Sequence, residues 1–268
     1  MAEAQEVVIP TNFTSAVSLT EMGLSHVPKR FILPVSQRPN LDVKHSPNTS
    51  LPLVDLALLR HNTLRSHVIG EIGLACKEFG FFQVINCGIP PSLIEGAMEA
   101  ASEFFNLPVD EKMLLMSGDV KKPVRYGTSL NHVKDTVYFW RDFLKHYSHP
   151  LSKWNCQGLQ VMDKEGKWVQ VPAIDGVLLV HVGDHLEVMS NGRYKSVVHR
   201  ATVNAEKRRI SIASLHSFAM EKKVRPVPQL VDDQHPLAYG DISFKDFLDF
   251  LSRHAITKKG FIETVRLI

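Results

Sequence analysis

Apolar positions along this chain follow one period in its first half and another in its second. Leu64, Val68, Ile72, Ala75 and Phe79 recur at three- and four-residue steps, which predicts an amphipathic helix. Gly80 stands where a left-handed residue would cap its C-terminus. LPLVDL (51–56) before the helix and FFQVINC (81–87) after it read as strands, the second rich in aromatic and β-branched residues. Gly88-Ile89-Pro90-Pro91 then turns the chain. Ser92 is a candidate N-cap for a second helix, with Ile94, Ala97, Met98, Ala101 and Phe105 on one face and Pro108 at its end. Residues 110–116 suggest a further short helix. The first fifty residues are rich in Pro, Ser, Thr and Asn and predict an extended arm with one short helix near 16–22.

Beyond residue 124 the helical period fades. Tyr138-Phe139-Trp140-Arg141-Asp142-Phe143-Leu144 reads as an aromatic strand and HYSHPLSKW (146–154) as a loop. LQVMD, WVQV, GVLLVHVGD, YKSVVHRATV and RRISIASLHSF follow in quick succession. Glu165-Gly166, Asp175-Gly176 and Ser190-Asn191-Gly192 break them. Short strands at this spacing predict an antiparallel sandwich or barrel. Ser243 then caps a helix with Phe244, Phe247, Leu248 and Leu251 on one face, and 256–267 is a last amphipathic stretch. The fold class is α+β, built on an antiparallel sheet system.

Composition narrows the functional classes. With 268 residues, 44% hydrophobic and 22% charged, the chain is one large domain or two modest ones. The net charge of +3 is scattered over short clusters such as Lys121-Lys122 and Lys207-Arg208-Arg209. No basic stripe is interleaved with aromatics, so no nucleic-acid partner is expected. Three cysteines without a C-x-x-C pair fit a reducing compartment. The opening MAEAQEVVIP lacks the apolar core of a secretory signal, and no apolar run is long enough for a bilayer. A cytoplasmic protein without a membrane partner is expected.

The candidate chemistry lies in two adjacent runs. In YKSVVHRATV, alternation puts His199 on the face of Val197, Ala201 and Val203, an apolar face that predicts an inward histidine. Taken alone, such a histidine is most often a hydrogen-bonded core residue. In RRISIASLHSF, Arg209, Ser211 and Ala213 share a face. An inward arginine is costly unless it meets an anion, and its fork suits a carboxylate to which Ser211 can also donate. A histidine, an arginine and a serine so placed suggest a metal beside a dicarboxylic acid.

SNGRYKSVVHRATVNAEKRRIS (190–211) resembles the C-terminal signature of the plant Fe(II)/2-oxoglutarate-dependent dioxygenases. The resemblance extends through GLQVMDKEGKWVQVPAIDGVLLVHVGDHLEVMSNG (158–192), LPLVDL, CKEFGFFQVINCGIP (76–90) and EFFNLPVDEK (103–112), in the family's order. It implies a distorted double-stranded β-helix, a jelly roll. It also implies an N-terminal arm (1–49), a mixed helix/strand region (50–154), and a C-terminal part of the jelly roll with terminal helices (155–268). His199 matches an iron histidine, and Arg209 and Ser211 match the pair that holds the far carboxylate of 2-oxoglutarate. Tyr126 and Phe218 match regions that line the family's substrate pocket, although a packed core aromatic is the plainer reading of each. Fe(II) and 2-oxoglutarate are the implied cofactors, with ascorbate in support. The implied reaction hydroxylates or desaturates a small plant metabolite of flavonoid, phenolic or hormone type.

One motif of the family is missing. None of the thirteen histidines is followed at the second position by aspartate. His185-Leu186-Glu187 is the only His-x-acid, and it reads as a surface turn. His181-Val182-Gly183-Asp184 would put its two side chains on opposite faces of a strand. Trp154 is followed almost at once by Asn155-Cys156-Gln157-Gly158, where the family carries a long helix, several core strands, an Asn-x-Tyr and the His-x-Asp. The jelly roll is therefore expected to be incomplete, with open sheet edges and impaired catalysis. The alternative expectation is a non-catalytic truncated isoform that is inert or pairs with a full-length relative.

Overall fold

The computed structural model describes residues 15–24, 26–35, 38, 51–129, 135–146, 159–174, 176–203, 208–254 and 260–267. The chain divides into two compact units that interleave in sequence. One comprises 1–39, 102–149 and 246–259; the other comprises 40–101, 150–245 and 260–268.

The larger unit contains the predicted helix, α2 (Arg65–Glu78), between the parallel strands β1 (Leu53–Asp55) and β2 (Phe81–Ile85). Gly80 closes the helix at φ +70°, with its N–H on the Ala75 carbonyl, as the glycine predicted. Strand β7 (Leu178–His181) pairs antiparallel on the other side of β2. Alternation along β2 sends its side chains to two clusters. Phe82 and Val84 pack with Val68, Ala75 and Cys76 of α2; Phe81 packs with Leu159, Val161, Val171 and Leu179. A second sheet has the order β6-β5-β8, with β5 (Leu159–Met162) between β6 (Trp168–Gln170) and β8 (His199–Ala201).

The smaller unit holds α1 (Ala16–Glu21), α4 (Val109–Met113) and the hairpin of β3 (Val124–Thr128) with β4 (Asp142–His146). Asp142 organises it. Its carboxylate accepts from the Ser15 and Thr128 hydroxyls, from the Tyr126 hydroxyl at 3.0 Å, and from the Ala16 N–H at 2.8 Å. This joins the α1 N-terminus to the hairpin. The short helix expected near 16–22 is thus present, while the rest of the expected arm falls largely outside the described residues. Helix α3 (Pro91–Asn106) starts at Pro91, one residue before the expected cap, because proline suits the first helical position. Helix α6 (Phe244–Arg253) follows Ser243 directly.

The described strands close no barrel, in line with the incomplete jelly roll expected. Two expectations are corrected. YKSVVHRATV contributes only the three residues of β8, and RRISIASLHSF forms no strand over 208–218. That run still alternates, with Ile210, Ile212 and Ser214 half-buried and Ser211, Ala213 and Leu215 exposed. It has the local pattern of a strand but no ladder partner among the described residues, and a strand exists only by pairing. The loop at 146–154 and the junction after Trp154 lie, but for His146, outside the described residues. Among the described residues no helix is long and apolar enough to cross a membrane.

Candidate functional site

The site begins with how β8 is held. Arg200 donates to Gln160 Oε1 at 2.8 Å and lies 4.0 Å over the Trp168 ring, which fixes the short strand on β5 and β6. His199, one residue earlier, pairs with Val161 across the ladder and projects from the opposite face. His199 is exposed, as are Ala201 and Val203, so the expectation of an inward histidine is overturned. The face is covered at the central strand, where Val161 opposite His199 is 2% exposed in the Phe81 cluster, but it opens to solvent at β8, the edge of the sheet among the described residues.

The segment before β8 passes tightly against the end of α2. A Cβ on Gly80 would stand 2.6 Å from the Lys195 carbonyl oxygen and 3.1 Å from Val197 Cβ. The missing side chain thus lets 195–197 run beside the start of β2, with Val197 packed on the Phe81 cluster. This approach sets where His199 emerges. Its ring lies 4.9 Å from that of His181 at the end of β7, tilted by 52°. Gly80→Ala is expected to destabilise the protein by about 2 kcal/mol, from the left-handed strain and the displaced carbonyl. Chemical denaturation would measure it, and an unchanged midpoint would contradict this account of the approach.

His181 was set aside in the sequence as part of a poor ligand pair with Asp184. Burial, with His199 nearby, pushes its pKa down to about 4, so its ring is neutral at pH 7. The signal for its position was the alternation in VLLVHV, which puts His181 on the face of buried Leu179.

His185-Leu186-Glu187 is not a surface turn. It belongs to α5 (Asp184–Met189), and Glu187 is 2% exposed. Its carboxylate accepts from Tyr239 Oη and from the Ser196 N–H, each at 2.6 Å, and from Lys195 Nζ at 3.3 Å, with Arg266 at 3.8 Å. Both oxygens are committed to donors, so Glu187 is a structural anion and offers nothing to a metal. Tyr239 packs against this turn so closely that a Cβ on Gly192 would meet its ring at 2.9 Å.

Arg209 is half-buried. Its Nε is buried and has no hydrogen-bond partner among the described residues. Ser211 is exposed on the same run. Phe218 is 47% exposed, its ring 6.2 Å from that of His185. Tyr126 lies in the other unit, 1% exposed, against Phe104 at 5.9 Å; burial and Asp142 push its pKa up. No hydrogen bond or ring contact joins His199 to Arg209, Ser211 or Phe218 among the described residues.

Residues 51–165 match the family described as the N-terminal region of a non-haem dioxygenase in morphine synthesis, and residues 145–217 match the 2OG-Fe(II) oxygenase superfamily. Flavanone 3-dioxygenase 3 of rice (Oryza sativa subsp. japonica) is 33% identical, over 88% of this chain and 98% of its own length. The chain belongs to the 2-oxoglutarate- and Fe(II)-dependent dioxygenase family. A second rice member, 2-oxoglutarate-dependent dioxygenase 21, chloroplastic, is 33% identical over 81% of this chain and 91% of its own length. The crystal structure of JOX2 in complex with 2OG, Fe and JA shares the fold, with a TM-score of 0.77 at 24% identity over 96% of this chain and 98% of that one. The dioxygenase jelly roll is therefore the architecture, with no closed barrel among the described residues. The alignment to flavanone 3-dioxygenase 3 runs over 325 positions, yet 88% of 268 residues is about 236. Roughly ninety positions thus have no residue of this dioxygenase opposite them.

The cofactors of this family are Fe(II) and 2-oxoglutarate, and the residues here fit them unequally. The orphaned Arg209 Nε is a buried cationic donor, which suits a carboxylate of 2-oxoglutarate. The iron half does not fit. Among the described residues no three His, Cys, Asp or Glu side chains come together to hold a metal, and the sequence has no His-x-Asp. A facial triad needs a carboxylate as well as two imidazoles.

Proposed function

We propose that this family member binds 2-oxoglutarate at Arg209 and Ser211 but does not turn it over, because the iron triad is incomplete. The observation that carries this reading is that, among the described residues, no carboxylate joins His199 in a metal-binding group. The absence of His-x-Asp from the sequence supports it, and so do the roughly ninety unmatched positions of the relative. The reaction of its active ancestor is read as hydroxylation or desaturation of a small plant metabolite of flavonoid, phenolic or hormone type. Flavanone 3-dioxygenase 3 supports the flavonoid class. Tyr126 and Phe218 are carried as substrate-pocket residues of this chain, and cytoplasm as its compartment. Import of a fluorescent fusion into plastids would contradict the latter.

Two measurements test the reading. Purified protein given Fe(II), 2-oxoglutarate and ascorbate is expected to form no succinate above a no-enzyme control; succinate that disappears in His199→Ala would overturn the proposal. Titration calorimetry with 2-oxoglutarate is expected to show weak binding that Arg209→Ala weakens by about tenfold, the loss of one charge-assisted carboxylate contact. Equal affinity in the variant would remove Arg209 from the site.

A second reading is carried by β8, which lies at the edge of its sheet among the described residues, and by the run at 209–218, which forms no strand and where Leu215 is 76% exposed. Both offer backbone and apolar surface to an added strand. Pairing with a full-length relative predicts co-elution of the two chains on a sizing column, and separate elution at micromolar concentration would reject it.

A further inference from the structure

We propose that His181 and His199 together form a two-histidine site for a borderline divalent metal ion. This site differs from the family's triad, since His181 belongs to β7 and lies outside any His-x-Asp motif. Three observations carry it.

The first is separation. An imidazole nitrogen sits about 2.0–2.1 Å from such an ion, with the ring centre about 1.1 Å beyond, so two rings on one ion at angles near 90–105° have centres roughly 4.4–5.0 Å apart. The rings of His181 and His199 are 4.9 Å apart and tilted by 52°, which is neither stacked nor edge-on.

The second is the tautomer of His199. Its Nδ1 lies 3.3 Å from the Val197 carbonyl oxygen, which can only accept, so Nδ1 is the protonated nitrogen and Nε2 keeps its lone pair. A backbone carbonyl behind one ring nitrogen is the usual support for a histidine that gives the other to a metal.

The third is rigidity. The Phe81 ring stacks on His181 at 6.1 Å and 28°, while Arg200 and the Gly80 approach hold β8 and the chain leading into it. Two imidazoles with the remaining positions left to water suit Cu(II), Ni(II) or Zn(II), in the affinity order expected for nitrogen sites. No carboxylate joins them among the described residues, so the site is proposed to hold metal without the family's chemistry.

The inference rests on reading His199 as a metal ligand, and the test separates the two ideas. Tag-free full-length protein is loaded with half an equivalent of Cu(II), so that only the tightest site fills. Pulsed electron paramagnetic resonance then counts the coordinated imidazoles. Wild type is expected to give a two-imidazole spectrum, His181→Asn a one-imidazole spectrum, and both His181→Asn and His199→Ala an affinity at least tenfold weaker by chelator competition. A one-imidazole spectrum from wild type would overturn the pair without recourse to any variant. A two-imidazole spectrum that survives His181→Asn would do so as well. If His199→Ala loses metal and His181→Asn does not, His199 stands as a ligand and the pair fails. If neither variant changes binding, both assignments fail.

Discussion

Grafting in a segment that carries a His-x-Asp is expected to switch on succinate production. Residues between Trp154 and Gly158 would be replaced by a segment of the rice flavanone 3-dioxygenase 3 chosen to supply a His-x-Asp. The parts that remain in this chain, Arg209 and Ser211 on one run and His199 on β8, have the character of the cosubstrate and metal side of a complete site. What they lack is a second histidine in the right place and a carboxylate to balance the iron's charge. A triad acts as a unit, so supplying two ligands at once restores far more than each alone. Fe(II)- and 2-oxoglutarate-dependent succinate is expected to rise by about 10³-fold or more over the parent chain, since losses at conserved supporting groups alone cost ~10–100-fold. Two controls define the result. His199→Ala in the grafted protein returns it to background, and a graft lacking its His-x-Asp carboxylate stays silent. A folded graft that binds iron yet forms no succinate would show that the C-terminal half had decayed too.

Glu187→Ala is expected to produce the largest loss of stability among single substitutions here. The carboxylate is buried and accepts from Tyr239 Oη, the Ser196 N–H and Lys195 Nζ. Removing it strands the hydroxyl of Tyr239, a residue 1% exposed, and an amide in a crowded turn. It also leaves Lys195 Nζ with only the Tyr239 hydroxyl at 2.8 Å. Breaking a buried ion pair from one side costs ~3–5 kcal/mol, but the Lys195 and Arg266 side chains are partly exposed and rehydrate, which places the loss at about 3 kcal/mol. Glu187→Gln keeps the shape and an accepting oxygen and should lose about 1–2 kcal/mol. Urea denaturation of the two variants gives the comparison. A Glu187→Ala midpoint equal to wild type would mean that water replaces the carboxylate freely.

Much of the helical framework was legible along the chain because each signal was local. The Leu64–Phe79 stripe with Gly80, the aromatic run of β2 and the short helix near 16–22 needed only neighbours within a few residues. RRISIASLHSF was misread for the opposite reason. Its alternation is that of a strand and survives in the burial of Ile210 and Ile212, but a ladder needs a partner elsewhere in the chain. His199 was read as inward on the same grounds, but its face is covered only as far as Val161 on the central strand, and β8 stands at the edge. Glu187 was taken for a turn residue because its stabilising partners, Tyr239 and Arg266, stand 52 and 79 residues away. Arg209 was the most readable part of the candidate site. An arginine in an apolar alternation announces a need for an anion, and its buried Nε has none among the described residues.

The distance between Glu187 and its partners also has a meaning in time. At about 5–20 residues per second, a ribosome adds Arg266 several seconds after Glu187 has been polymerised. Early in that interval α5 carries a carboxylate whose final position is inside the protein and whose near donors, Lys195 and Ser196, are made, while Tyr239 and Arg266 are still to come. The nascent turn is therefore hydrated at first, and this part of the larger unit gains its full set of contacts only after translation has passed Tyr239 and then Arg266.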